Sequence, residues 1–158
     1  AKESFAGSQL AASRETLLPE FYNQTSTQVR YWFCPLGWNG TLERCQAICD
    51  ESARGERHDL VLDNGREIVG WAFLVKLEQS LAHLGIGLAD AYCGQGLGKV
   101  LIPALEAYAR AHGHEGMELI VVQDNPRAKA LYERFGFVVT GEFTAADGKP
   151  YYNMEVRF

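Results

Sequence analysis

Residues 88–99, LADAYCGQGLGK, are the stretch from which the fold of this chain can be inferred. Before them, apolar residues that alternate with small ones predict a strand at Leu81–Leu88. After them, apolar residues at three- and four-residue spacings predict a helix over Gly96–His112. The glycines at 94, 96 and 98 remove side chains that would keep a ligand away from the backbone. A bare turn that runs into a helix start presents unpaired N–H groups and the positive end of the helix dipole, so the stretch predicts an anion-binding site, most often one for phosphate.

Spacing distinguishes three kinds of glycine-rich loop. A Walker loop needs a glycine where this chain has Cys93, and a serine or threonine after Lys99, where it has valine. A dinucleotide-binding fingerprint needs a third glycine at the position of Lys99 and a repeated strand–helix–strand unit. The stretch resembles motif A of the GNAT superfamily of acyl-CoA-dependent N-acetyltransferases, Gln/Arg-x-x-Gly-x-Gly/Ala. Gly96 and Gly98 match its two small positions, and Cys93 stands where Gln or Arg is usual.

A second stretch, Asp124–Phe137, resembles motif B of the same superfamily, N-x-x-A-x-x-L-Y-x-x-x-G-F. Asn125 followed by Pro126 is typical of a helix start, because asparagine caps a helix and proline suits its first turn. Gly136 predicts the end of this helix. The residues predicted to form its apolar face are Ala128, Leu131, Tyr132 and Phe135. The resemblance covers roughly residues 67–158, and the first forty residues match it only loosely.

Length and composition favour one globular domain over residues 1–158, with residues 1–20 as a polar N-terminal extension: the chain has 158 residues and 47% hydrophobic content. A net charge of −5 argues against a nucleic-acid partner. Residues 1–9 lack the apolar core of a signal peptide, and no apolar run could span a membrane. We therefore expect a cytoplasmic protein without a membrane partner. The four cysteines have no metal-site or disulfide spacing, so we expect no metal, and Cys45 and Cys49 are interpreted as small core residues.

The remaining pattern predicts an antiparallel meander before the glycine loop, which a doubly wound nucleotide-binding fold would not have. A first strand is expected at Val29–Phe33 and a helix at Thr41–Ser52, with Leu42, Cys45, Ile48 and Cys49 facing inward. Asn64-Gly65 predicts a hairpin turn, Asp147-Gly148 predicts a second one, and Pro103 should kink its helix unless that helix begins later. Further strands are predicted at Asp59–Leu62, Glu67–Leu77, Met117–Val122, Phe137–Phe143 and Tyr151–Phe158.

The resemblance implies an α+β GNAT fold, a mixed central sheet of about six to seven strands, the antiparallel meander first, flanked by about four helices. It also implies an N-acetyltransferase that transfers an acetyl group from acetyl-CoA to a primary amine of a small molecule or peptide, by direct attack in a ternary complex. The acetyl-CoA-binding positions implied by the two motifs are Leu88, Ala89, Cys93, Gly94, Gln95, Gly96, Leu97, Gly98, Lys99, Asn125, Ala128 and Tyr132. Among them, the backbone N–H at about Leu88 is expected to polarise the thioester carbonyl.

The resemblance suggests two catalytic side chains. Tyr132 matches the tyrosine that protonates the departing CoA thiolate, and this role is favoured over the alternative of a core tyrosine on an apolar helix face. The usual base positions correspond to Ala82 and Leu84, which cannot accept a proton. His83 lies between them and by strand alternation should face away from the site, unless a β-bulge turns it inward. A water relay or an acceptor that arrives as a neutral amine are the alternatives.

Two other functions stay open at this point. The missing base permits a catalytically inactive GNAT-fold domain that binds CoA or regulates. A glycine-loop nucleotide-binding module is disfavoured by the spacings but not removed by them. The sequence does not identify the acceptor amine, and the final hairpin could pair with a second copy to form a homodimer.

Overall fold

The computed structural model describes residues 6–9, 42–63, 68–88 and 98–158. These ranges contain a seven-stranded sheet and three helices, against the six to seven strands and about four helices predicted for the whole chain. The strands are β1 (Ala6–Gln9), β2 (His58–Asp63), β3 (Ile68–Val75), β4 (Leu81–Leu88), β5 (Gly116–Val122), β6 (Val138–Thr144) and β7 (Pro150–Arg157). The helices are α1 (Leu42–Ala53), α2 (Gly98–Ala111) and α3 (Pro126–Arg134).

The sheet is mixed, with the strand order β1-β2-β3-β4-β5-β7-β6. The first four strands form an antiparallel meander, as the sequence predicts, and β4 and β5 are the parallel pair. β7 pairs antiparallel with both β5 and β6, so β6 lies at the edge of the sheet. The pairing of β2 with β3 confirms the first predicted hairpin, whose turn lies outside the described residues. The second hairpin is also confirmed, and Gly148 in its turn has a φ of +88°.

Element boundaries agree closely with the sequence patterns. The strand before the glycine loop spans Leu81–Leu88, as predicted. Helix α2 begins at Gly98 rather than at Gly96 and runs through Pro103 to Ala111. Pro103 is exposed, and it deprives the carbonyl of Lys99 of its usual donor four residues ahead.

Strand β1 is an element that the sequence analysis did not predict. It lies within the segment interpreted as a polar extension, and it pairs with β2 from Ala6 opposite Asp63 to Gln9 opposite Leu60. Strand pairing uses backbone groups, so a polar segment can join a sheet edge without an apolar pattern. The strand predicted at Val29–Phe33 lies outside the described residues.

One face of the sheet, which we call the helix face, packs against α2 and α3. The core on this side includes Leu74, Ala82, Leu84, Met117 and Met154 from the sheet and Leu105 from α2. Because side chains alternate along a strand, Trp71, Phe73, His83 and Glu118 lie on the opposite face. Ile48 and Cys49 of α1 are buried as predicted, while the side chains of Leu42 and Cys45 lie outside the described residues.

Candidate active site

The parallel strands β4 and β5 separate after a short paired segment. They pair only at Leu81 with Gly116, Ala82 with Met117 and His83 with Glu118. Each strand continues beyond this point, and each stays paired with its other neighbour to its end. The facing edges of Leu84–Leu88 and Leu119–Val122 are therefore not paired with each other. We call the opening between these two segments the wedge.

The wedge can hold an extended ligand that carries amide groups. Backbone N–H and C=O groups need partners, and an exposed strand edge accepts an added strand-like segment. The wedge is closed where His83 pairs with Glu118, and it opens toward the loop that follows β4. A ligand in the wedge would therefore have one end near the loop and its other end near the closed vertex.

The wedge opens at Leu88, and the next element that the structure describes along the chain is α2. Leu88, the last residue of β4, pairs with Gly70, and its side chain lies outside the described residues. Gly98 begins α2, a helix of 14 residues, and Lys99 follows it with an exposed side chain. A helix of this length presents about half a positive charge at its N-terminus. The other predicted loop positions, Ala89, Cys93, Gly94, Gln95, Gly96 and Leu97, lie outside the described residues, so their role stays a prediction.

The two sequence motifs meet at Gly98. A Cβ atom at this position would stand 2.6 Å from Cδ2 of Leu131 in α3. A side chain at this position would require the end of Leu131 to shift, and glycine allows the close approach of α2 to α3 without that shift. The structure thus brings the end of motif A and the middle of motif B into direct contact.

Helix α3 begins as the sequence predicts. Asn125 is its N-cap, and the side-chain Oδ1 accepts a hydrogen bond of 3.3 Å from the backbone N–H of Ala128. The backbone N–H of Asn125 donates to the carbonyl of Val122 at 3.0 Å, which ties the helix start to the end of β5. Gly136 follows the helix with a φ of +90°. Asn125 therefore stands where one side of the wedge ends.

Tyr132 is buried on the helix face, in the same apolar cluster as Leu84 and Val121. Its ring meets Phe137 edge to face at a centroid distance of 5.8 Å. Burial raises the pKa of its phenol to about 12. The phenol is therefore protonated at neutral pH, which suits a hydrogen-bond donor and excludes a base.

His83 lies at the closed end of the wedge. Its Nδ1 is 3.7 Å from Oε1 of Glu118 on β5. Desolvation, with a contribution from Lys76, lowers the pKa of His83 below 6.5 and outweighs the opposite effect of Glu118. The imidazole is therefore neutral at pH 7 and can accept a proton.

The orientation of His83 follows the alternation that the sequence predicts. Ala82 and Leu84 are buried on the helix face, and His83 faces the other way. The register between β3 and β4 is regular through His83, so no bulge turns this side chain. The helix face is packed at this level of β4, so the space in front of His83 is on the opposite face.

That face carries a cavity of about 200 Å³. Its polar lining consists of Lys76, His83, Glu118, Thr140, Asn153 and Glu155. Glu118 and Glu155 were not predicted as site residues from the sequence. Alternation along β5 gives the signal for Glu118, since it lies between Met117 and Leu119, but the register that brings it to His83 is a long-range feature.

Within the described ranges, no cluster of three or more His, Cys, Asp or Glu side chains could hold a metal ion. None of the helices in this part of the chain is long and apolar enough to cross a membrane.

A mixed sheet whose parallel strands diverge, followed along the chain by a glycine-rich helix start, is the arrangement that the resemblance to the GNAT superfamily implies. Residues 17–137 match the model of the Acetyltransferase (GNAT) family, and the chain belongs to this family. The resemblance of the two motifs is thereby confirmed.

Individual relatives agree with this assignment. The chain is 40% identical over 81 residues to a mycothiol acetyltransferase of Corynebacterium glutamicum, a match that covers 51% of this chain and 28% of that protein. The chain thus spans less than a third of the curated relatives that it matches first.

Solved structures confirm the predicted α+β fold over nearly the whole chain. An acetyltransferase of the GNAT family from Streptococcus pneumoniae superposes with a TM-score of 0.85 at 20% identity, covering 98% of this chain and 99% of that one. A spermidine N-acetyltransferase from Vibrio cholerae, in complex with CoA and spermine, has a TM-score of 0.79 at 16% identity, covering 99% and 96%.

Proposed function

We propose that this chain is an N-acetyltransferase that transfers an acetyl group from acetyl-CoA to a primary amine of a small molecule or peptide. Both substrates would be bound together, and the amine would attack directly. The observation that carries the proposal is the divergence of β4 from β5, together with the contact between the N-terminus of α2 and α3, the helix that follows β5. Acetyl-CoA has a diphosphate suited to the helix start, an arm with two amides suited to a strand edge, and a thioester that an amine can attack.

The donor site would use mainly backbone groups. The amides from Cys93 to Lys99 and the dipole of α2 would hold the diphosphate, and Gly98 keeps the helix start close to α3. Asn125 and Ala128 would border the same site from the start of α3, where the Nδ2 group of Asn125 is a donor that the cap does not use. Because these contacts come from backbone and helix ends, Cys93 in place of Gln or Arg is compatible with binding.

The reacting end of the donor would lie deeper than Leu88. Leu88 stands at the mouth of the wedge, whereas four residues of β4 span roughly 13 Å toward the vertex. The thioester is at the far end of the arm from the diphosphate. We therefore assign the N–H that polarises the thioester carbonyl to β4 below Leu88, and leave the backbone of Leu88 to bind the arm.

Tyr132 would donate a hydrogen bond to the departing sulfur. With a pKa of about 12, its phenol holds its proton more firmly than a thiol, whose ordinary pKa is about 8.5. It would therefore stabilise the developing thiolate without a complete proton transfer before the bond breaks. The alternative, a purely structural tyrosine, predicts no loss of rate when the hydroxyl is removed.

His83 would accept the proton that the amine loses. It is neutral at pH 7, it stands at the vertex, and it faces the cavity with Glu118 beside it. The cavity is then the place where the amine approaches, and its two carboxylates suit a cationic acceptor.

The first test is calorimetric titration with acetyl-CoA, with ATP and NAD as controls. Selective binding of acetyl-CoA would support the proposal, and its absence would contradict it. A panel of amines that includes spermidine, spermine and short peptides would then test transfer. Tight CoA binding without turnover on that panel would favour the inactive CoA-binding domain instead.

Acetyl-CoA is made and used inside cells, so we propose that the enzyme acts in the cytoplasm.

We also propose that the edge strand β6 can pair with the same strand of a second copy to form a homodimer. Sedimentation of the whole chain would detect this dimer.

A further inference from the structure

We propose that Phe73 restricts the acyl donor to acetyl-CoA, by filling the space above Gly85 on the opposite face of the sheet. The inference rests on the proposed function, and it adds a specificity-determining residue to it. The residue acts by its volume at the place where the acyl chain would extend.

Phe73 and Gly85 are directly opposite each other on β3 and β4. A Cβ atom at Gly85 would lie 2.6 Å from Cε2 and 2.9 Å from Cε1 of Phe73, and closer still to Cζ. The ring therefore leans from β3 across β4, and its far end covers Gly85. An aromatic side chain that covers a glycine shields the backbone of a sheet. Here the ring of Phe73 also limits the size of the group that fits beside β4.

Gly85 lies within the wedge. It is the second residue after His83, the last residue of β4 that pairs with β5. Gly85 and Ile86 are partly exposed, whereas Ala82 and Leu84 are buried. β4 lies in the middle of the seven-stranded sheet, and these two residues stay partly exposed because β5 diverges from β4 here. The Cζ end of Phe73 is thus next to the deep part of the wedge, where the thioester would lie.

The ring of Phe73 is held in place from behind. The guanidinium of Arg57 lies 5.1 Å from the ring centroid, on the same face. Asp59 fixes that guanidinium with two hydrogen bonds of 2.8 and 2.9 Å, and its Oδ1 also accepts from Nε1 of Trp71 at 2.9 Å. Arg57 and Asp59 are buried, so the pair cannot shift without exposing or unpairing a charge.

A wall of this kind discriminates by size. An acetyl group ends in one methyl, whereas propionyl and butyryl groups add one and two methylenes that would need the space of the ring. A buried ring backed by an ion pair does not move aside easily, so longer chains should bind about tenfold more weakly. A leucine at position 73 would retract from Gly85 and remove this barrier.

The test is calorimetric titration of the full chain with CoA, acetyl-CoA, propionyl-CoA and butyryl-CoA. We expect the wild type to bind acetyl-CoA about tenfold more tightly than butyryl-CoA, and Phe73→Leu to reduce the ratio to about threefold or less. Phe143→Leu is the matched control, because Phe143 is on the edge strand β6 and stacks on Tyr151; its ratio should equal that of the wild type.

The possible outcomes separate the two proposals. If CoA itself does not bind, the proposed function fails. If CoA binds and the wild type does not discriminate among the three acyl-CoAs, or Phe73→Leu leaves the ratio unchanged, only the inference on Phe73 fails. Thermal unfolding monitors folding, and Phe73→Met provides a second variant should leucine prevent folding, with the same expected loss of discrimination.

Discussion

The Cδ2 atom of Leu131 lies 2.6 Å from the point where a Cβ atom of residue 98 would stand. Gly98 is the first residue of α2, and Leu131 lies in the middle of α3. One residue pair therefore sets how close the start of α2, the proposed diphosphate site, comes to the helix that carries Tyr132. The third glycine of the loop therefore favours close helix packing, apart from any contribution to ligand binding.

Substitution of Gly98 should weaken acetyl-CoA binding in proportion to side-chain size. Alanine meets only the flexible end of Leu131 and should have a small effect, whereas valine should cost about 1–3 kcal/mol, or about fivefold or more in Kd. Combining Gly98→Val with Leu131→Val should recover part of the loss, because valine has no Cδ atom. Calorimetry measures the Kd, and wild-type affinity in Gly98→Val would contradict this role of the contact.

Removal of the Tyr132 hydroxyl should slow acetyl transfer while leaving binding intact. A positioned donor or acid typically contributes about 10²-fold, so Tyr132→Phe should lower kcat by about that factor. The ring is buried against Phe137, and phenylalanine preserves that packing, so Tm and the Kd for CoA should change little. The control is Tyr108→Phe. Tyr108 lies on α2, and its ring stacks between those of His58 and His112. Equal rates for Tyr132→Phe and the wild type would show a structural tyrosine.

The pH dependence of kcat/KM should report the titration of His83. A base works only when neutral, so the rate should rise with pH through its pKa, which desolvation lowers below 6.5. Glu118 raises that pKa, so Glu118→Gln should shift the acid limb to still lower pH. His83→Gln should lower the rate by about 10²-fold and remove this limb.

A second histidine provides the control for that experiment. Burial also lowers the pKa of His58, whose ring stacks on that of Tyr108 at a centroid distance of 3.7 Å on the helix face, whereas His83 faces the opposite side of the sheet. His58→Gln should therefore leave the acid limb of kcat/KM where it is. An acid limb that is the same in the wild type, His83→Gln and Glu118→Gln would exclude His83 as the base.

The positions of helices and strands were predicted well, because strand alternation and helix caps depend on residues that are close in the sequence. Alternation located Leu81–Leu88, and Asn125-Pro126 located the start of α3, where the cap hydrogen bond is observed. Strand β1 was missed because its polar residues join the sheet through backbone pairing. The positions of motif A between 89 and 97 lie outside the described residues.

Long-range register is what the sequence could not supply. The divergence of β4 from β5, the approach of Glu118 to His83 and the cover of Phe73 over Gly85 all depend on which residues face each other across strands. No spacing within one segment encodes that arrangement. The sheet register is therefore what identifies Glu118 as the partner of His83 and the cavity that His83 faces.

Two substitutions of Asn125 distinguish its role as the N-cap of α3 from its proposed contact with the diphosphate. Asn125→Ala removes the acceptor for the Ala128 N–H and should lower the free energy of unfolding by about 1 kcal/mol. Asn125→Asp keeps that acceptor, so stability should hold, but it replaces the Nδ2 donor by a negative oxygen near the proposed diphosphate. Its Kd for CoA should then rise severalfold. Denaturant unfolding and calorimetry measure the two effects, and unchanged CoA binding in Asn125→Asp would confine the residue to the cap.

The buried pair Arg57–Asp59 should control both stability and acyl selectivity. Asp59→Ala leaves a buried guanidinium without its carboxylate, and the Trp71 N–H without its acceptor, so the free energy of unfolding should fall by about 3–5 kcal/mol. Glu56→Gln disrupts the exposed pair of Glu56 with Arg54 and should leave Tm unchanged. Because Arg57 supports the ring of Phe73, the folded fraction of Asp59→Ala should also distinguish acetyl-CoA from butyryl-CoA less sharply than the wild type. Wild-type selectivity in that variant would mean that Gly85 and its neighbours on β4 hold the ring without the ion pair.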